Sequence, residues 1–76
     1  MIGENMLIYD REHGRFFTKW YGKNHVPVWS EYSSGGQVFH RVSEAYAVKE
    51  QIVGARIVSE AEAKKIDTLK RKELEQ

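Results

Sequence analysis

The residues best able to do chemistry are the three histidines, His13, His25 and His40, as metal ligands or proton shuttles. A zinc site sets its ligands at short, fixed spacings and usually draws on cysteine as well. No two of these histidines have such a spacing, and the chain has no cysteine. His13 and His25 fall in expected loops, and His40 flanks an expected strand. Among the carboxylates, Asp10, Glu12, Glu31 and Glu44 sit near the expected sheet. A general acid–base pair needs a pocket that separates two pKa values. These four instead occupy turn and helix-start positions, where carboxylates serve the backbone. Ser33, Ser34, Ser43 and Ser59 lie beside turns or caps, none within Gly-x-Ser-x-Gly. Ser33-Ser34-Gly35-Gly36 lacks the Gly-Lys-Ser/Thr ending that holds phosphates and reads as a turn. The expectation is a protein without catalytic residues, metal or cofactor.

Binding chemistry is concentrated elsewhere. Arg15-Phe-Phe-Thr-Lys-Trp-Tyr-Gly-Lys23 holds four of the nine aromatic residues and three of the twelve basic ones. As a strand it sends successive side chains to opposite faces. Phe16, Thr18 and Trp20 then share one face, and Arg15, Phe17, Lys19, Tyr21 and Lys23 share the other. If the first set is covered, the second is an open basic–aromatic face, suited to stacking bases and holding phosphates. If Phe17 and Tyr21 are covered, the strand is structural and the lysines only reach outward along their stems. The stretch lacks the alternating small residues of an RNA-recognition strand motif. Trp29 and Tyr32, with Phe39 and Tyr46, offer a second aromatic patch of the type enriched in protein interfaces. The candidate binding residues for protein or nucleic acid are therefore Arg15, Phe17, Lys19, Tyr21, Lys23, Trp29 and Tyr32.

These residues must be positioned by one small domain spanning 1–76. Its net charge of +1 provides no global field that would select nucleic acid or membrane. No apolar run approaches the ~20 residues of a membrane span, and no signal-peptide pattern opens the chain. The reading is a cytoplasmic protein with no membrane association.

Met6-Leu7-Ile8-Tyr9 is a compact apolar run suited to a strand, and Asp10–Gly14 is a loop closing on glycine. With the 15–23 strand it predicts a hairpin. Residues 26–32 read as a strand with Pro27 at an edge, and Gln37–Val42 as a short strand or an extended lead into a helix. A helix is expected over 44–53, capped by Ser43 and stopped by Gly54, with Val42, Ala45, Val48 and Ile52 as its apolar stripe. Ala55–Val58 reads as a last strand. Ser59-Glu60-Ala61-Glu62 fits a capping box, with Val58 and Ala63 placed as a staple. Helix formers run from 60 to 76, with Ala63, Ile66, Leu69 and Leu74 as an apolar stripe and residues 70–76 as a tail that frays or is held by a partner. The expected fold is α+β: a mainly antiparallel sheet of three to four strands, order β-β-(β)-α-β-α, with two helices packed on one face. An unpaired edge near Val26–Tyr32, or the charged helix 60–76, could supply a homodimer.

The short cysteine-free domain, the opening Leu7-Ile8-Tyr9-Asp10 hairpin, the passage from Phe39 to Ala45 into a helix and the charged helical tail together resemble a class of protein. They are similar to the small orphan proteins of bacteriophages and mobile elements, including anti-CRISPR and other anti-defence inhibitors. The resemblance implies a non-enzymatic, stoichiometric binder that blocks a host protein or protein–nucleic-acid complex. Many such inhibitors mimic nucleic acid with strong negative charge, which a chain at +1 does not carry. The alternative reading is a small domain that binds single-stranded nucleic acid through the 15–23 strand.

Overall fold

Four strands and two helices make up the computed structural model, which describes residues 5–74. The strands are β1 (Met6–Asp10), β2 (Arg15–Tyr21), β3 (Val26–Ser30) and β4 (Ala55–Ser59). Helix α1 (Val42–Glu50) precedes β4 and α2 (Glu60–Leu74) follows it, so the chain is α+β in the expected order. The sheet order is β3-β2-β1-β4, and every neighbouring pair is antiparallel.

The two helices lie on opposite faces of the sheet rather than on one. Ile8, Phe17, Phe39, Ala45 and Ala55 form one buried cluster, with Val48 of α1 and Ile52, just past its end, against it. Leu7, Phe16, Val58 and Ala63 form the other, joined by Ile66 of α2. Alternation along β1 feeds both clusters, and both Leu7 and Ile8 are buried. The crossing from one face to the other happens between β3 and α1. Residues Ser33–Gly35 form a 3-10 turn on the α2 face, tied to that helix by Asp67. Gly36 then lies so close to the sheet that a Cβ there would meet Leu7 Cδ2 at 3.0 Å and Phe16 Cβ at 3.1 Å. Next, Gln37 N–H donates to Phe17 C=O (2.9 Å), and Phe39 and Met6 exchange backbone hydrogen bonds of 2.7 and 2.9 Å. Residues 37–39 thus wedge between β1 and β2. They emerge on the other side, where Phe39 is buried against Phe17 and Ala45.

Local capping differs in detail from the expectation. Helix α1 begins at Val42, with Arg41 as its N-cap and no side-chain cap, so Ser43 lies inside the first turn. The earlier start follows from the wedge, which delivers the chain to the sheet surface at Phe39. It also leaves Val42 exposed, while Ala45, Val48 and Ile52 face the core. Gly54, at φ +82°, turns the chain into β4. At α2 the first half of the capping box is present, with Glu62 N–H donating to Ser59 Oγ (3.1 Å). Glu62's carboxylate turns instead to Arg56, at 2.5 Å. Glu60 and Lys64 stand 3.8 Å apart as the expected i,i+4 pair.

The inward stripe of α2 is Ala63, Ile66, Asp67 and Lys70, at i, i+3, i+4 and i+7. Leu69 and Leu74, expected on that stripe, are exposed, because two polar residues hold the positions over the 3-10 turn. The helix continues through residues 70–74 and Lys70 is anchored, whereas the last two residues of the expected fraying tail lie outside the described region.

Candidate interaction surface

One extra residue in β2 decides which side chains the anchor strand exposes. Phe17 pairs with Trp29, but the next pair is Lys19 with Val28, so Thr18 is a β-bulge. Its hydroxyl donates to Gly35 C=O at 2.9 Å. The bulge reverses the alternation beyond it. Phe17 and Trp20 share the α1 face, their rings 4.9 Å apart. Lys19 and Tyr21 turn to the α2 face, opposite Val28 and Val26. Helix α2 covers β4, β1 and the 3-10 turn and does not reach this far.

Neither of the two expected partitions of the strand is therefore realised. Phe16 and Phe17 are both fully buried, one on each face. Phe17 is a core residue and cannot be a binding residue, which corrects the expectation from its type and spacing. Tyr21 is 68% exposed and its cross-strand partner Val26 is 53% exposed. Lys19, Lys23, Asn24 and His25 complete an exposed hairpin end that contains no carboxylate between residues 18 and 30. His25 sits at φ +51° in the turn, its ring 5.7 Å from that of Trp20. Val26 is the member of this surface that sequence reasoning missed. Its signal was its place directly across the hairpin from Tyr21.

Arg15 and Trp29 are occupied with each other. The Arg15 guanidinium carbon lies 4.4 Å from the Trp29 ring centroid, and the edge of Phe17 meets that ring from the core side at 6.2 Å. Arg15 Nε also donates to Asp10 Oδ2 at 3.0 Å, and His13 Nδ1 lies 2.8 Å from the same oxygen. Burial by itself would raise the Asp10 pKa. The hydrogen bonds from His13 and Arg15 outweigh it and hold the carboxyl below its ordinary value of 3.8. A group depressed in the folded state contributes stability above its unfolded pKa and loses it as pH falls through the folded one. The Asp10→Asn variant is expected to lose about 1–2 kcal/mol near neutral pH, since both partners are partly solvated. Urea titrations should show the gap from wild type closing as pH drops below the folded-state pKa of Asp10.

Tyr32 faces the other helix. Lys70 Nζ and Arg71 Cζ each lie 5.5 Å from its ring centroid. Lys70 also donates to the carbonyls of Gly14 and Glu31, and so joins the β1–β2 loop to the end of β3. Asp67, buried, accepts from Ser33 N–H at 3.0 Å and from Ser33 Oγ. Of the candidate residues, then, Lys19, Tyr21 and Lys23 come together on the open hairpin. Arg15, Phe17 and Trp29 form a stack on the α1 face, and Tyr32 belongs to the α2 contact.

The histidines are separated: His13 serves Asp10, His25 lies beside Trp20, and His40 Nδ1 is 2.8 Å from Asn5 Oδ1. Among the described residues, no group of three or more His, Cys, Asp or Glu could hold a metal ion. No described helix is long and apolar enough to cross a membrane. Comparison with protein-family models, curated proteins and solved structures returned no match.

Proposed function

We propose that this chain is a non-enzymatic protein-interaction module whose binding arm is the end of the β2–β3 hairpin. The observation that carries the proposal is the Tyr21–Val26 pair, exposed side by side in a hairpin that carries Lys19 and Lys23 and no acidic residue between positions 18 and 30. An exposed tyrosine on a rigid strand contributes contact area at low entropic cost, and such residues dominate interface energetics. The fitting partner surface is a small apolar notch with an acidic rim, which the lysines would steer by charge. The resemblance to phage-encoded anti-defence inhibitors makes a bacterial defence protein the partner class to try first. That choice rests on the resemblance alone.

The test compares capture from host lysate by immobilised wild-type chain and by Tyr21→Ala. A protein retained by the wild type and released by the variant supports the hairpin. The expected loss is about tenfold in affinity or more, with thermal stability held within about 0.5 kcal/mol. Capture that ignores the variant rules the hairpin out, and an absence of any specific protein counts against the module. The nucleic-acid reading loses its second stacking ring with Phe17, leaving Tyr21 between two lysines. It predicts binding to a labelled single-stranded oligonucleotide that weakens steeply with salt, and a flat response at low salt excludes it.

A further inference from the structure

The two edges of the sheet are protected unequally. The β3 edge carries Pro27 and stands beside a bulged strand, both devices that discourage edge pairing. The β4 edge carries no proline, pairs with β1 through five residues in unbroken register, and is the last strand of the sheet.

The backbone groups that β4 turns outward follow from its neighbours. Met6 exchanges both its hydrogen bonds with Phe39, on the side of β1 away from β4. In an antiparallel ladder both groups of a residue point the same way, and direction alternates along the strand. Leu7 and Tyr9 therefore bond to Val58 and Arg56 across the β1–β4 ladder. The bond from Glu60 N–H to Asn5 C=O (3.0 Å) continues the same phase. Ala55, Ile57 and Ser59 point away from β1. Of these, Ala55 N–H is used by Ile52 C=O (3.3 Å). Ser59 C=O is taken by the first turn of α2, as at any helix N-cap. Among the described residues, four groups have no partner and are left for the open edge: Ala55 C=O, Ile57 N–H, Ile57 C=O and Ser59 N–H.

We propose that β4 pairs with β4 of a second copy about a two-fold axis through Ile57. In that register Ile57 faces Ile57 of the other chain, and the two exchange a pair of hydrogen bonds. Ala55 faces Ser59 of the other chain, where a free carbonyl meets a free N–H at both ends. Every free group finds a partner, and the two already engaged groups fall opposite each other. A two-fold interface must be self-complementary in this way. Side chains agree with the pairing. Arg56 comes opposite Val58 of the second copy, beside the acidic first turn of that copy's α2 with Glu60 and Glu62. The result is an eight-stranded antiparallel sheet with a β2–β3 hairpin at each end. This assembly is independent of what the hairpin binds.

Sedimentation of the full chain over a concentration series, with amide exchange followed by NMR, tests the proposal. A dimer is expected in which the Ile57 and Ser59 amides, unpartnered among the described residues of one chain, exchange about 10- to 100-fold more slowly as concentration rises. The Arg56 and Val58 amides, bonded within the chain, should be protected throughout. Ile57→Pro removes an outward N–H from the ladder and trims a side chain packed on the α1-side cluster, and is expected to be monomeric and less stable than the wild type. If that variant fails to fold, the wild-type exchange data still decide. A monomer up to about 1 mM, or a dimer whose Ile57 and Ser59 amides remain unprotected, overturns the proposal.

Discussion

Phe17→Ala is expected to act on stability, removing a large share of the folding free energy, rather than to produce a fully stable protein that cannot bind. The ring is fully buried and touches Trp20, Trp29 and Phe39 in the α1-side cluster. Truncating such a ring removes its transfer free energy and leaves a cavity, at a cost of about 3–5 kcal/mol. A chain of 76 residues has a total stability of roughly 4–11 kcal/mol at about 0.05–0.15 kcal/mol per residue. The loss is therefore a large share of the whole, and equilibrium urea unfolding should register it directly. Phe16→Ala is expected to cost a similar amount from the opposite face, since that ring is also fully buried and packs on Tyr9 at 4.9 Å. Tyr21→Ala, four residues further along the strand, should leave the unfolding curve almost unmoved. That contrast separates the structural and binding halves of a stretch that appears uniform in sequence.

The second large effect is expected at Asp67. Its carboxylate is buried and satisfies both the backbone N–H and the hydroxyl of Ser33. Asp67→Ala leaves both donors without their acceptor, and hydrogen bonds to a charged group contribute about 1.5–3 kcal/mol each. A net loss of about 2–4 kcal/mol is expected, less in Asp67→Asn, which keeps one acceptor. The consequence should travel along the chain. Ser33 begins the 3-10 turn that leads into the wedge at residues 37–39, so release of the turn loosens the crossing between the faces. Amide exchange should therefore quicken at Gln37 and Phe39 as well as at Ser33 in the Asp67→Ala variant. Faster exchange confined to Ser33 would show that the wedge is held by the core alone.

Much of this arrangement was legible in the amino-acid pattern. The apolar run at Met6–Tyr9, the turn signals at Gly14 and Ser33–Gly36, and the cap at Ser59 located the elements, because each depends on local chemistry. The placement of the helices on opposite faces departs from the expected single face, and the pattern does carry a signal for it. Leu7-Ile8 and Phe16-Phe17 are adjacent apolar pairs, and a strand with apolar residues at successive positions is covered on both faces. The bulge at Thr18 had no local signature. It is set by where Gly35 brings its carbonyl to the Thr18 hydroxyl, a contact between residues 17 apart in the chain. Because one inserted residue reverses every later side chain, that single long-range contact separated Phe17 from Lys19 and Tyr21. The polar stripe of α2 was hidden for a related reason. Asp67 and Lys70 look like solvated helix residues until the 3-10 turn and the loop carbonyls come to meet them.

The claim that the hairpin end is the binding arm can be tested most directly by placing a photo-activated cross-linking side chain at position 21 and, as controls, at Leu69 and Val42. Both controls are exposed apolar positions on the helices, 61% and 64% accessible. Irradiation in host lysate is predicted to give one discrete adduct from position 21, lost when Lys19 and Lys23 are replaced by glutamate, and none from the helix positions. An adduct from Leu69 or Val42 with none from position 21 would contradict the account and move the binding surface to the helices.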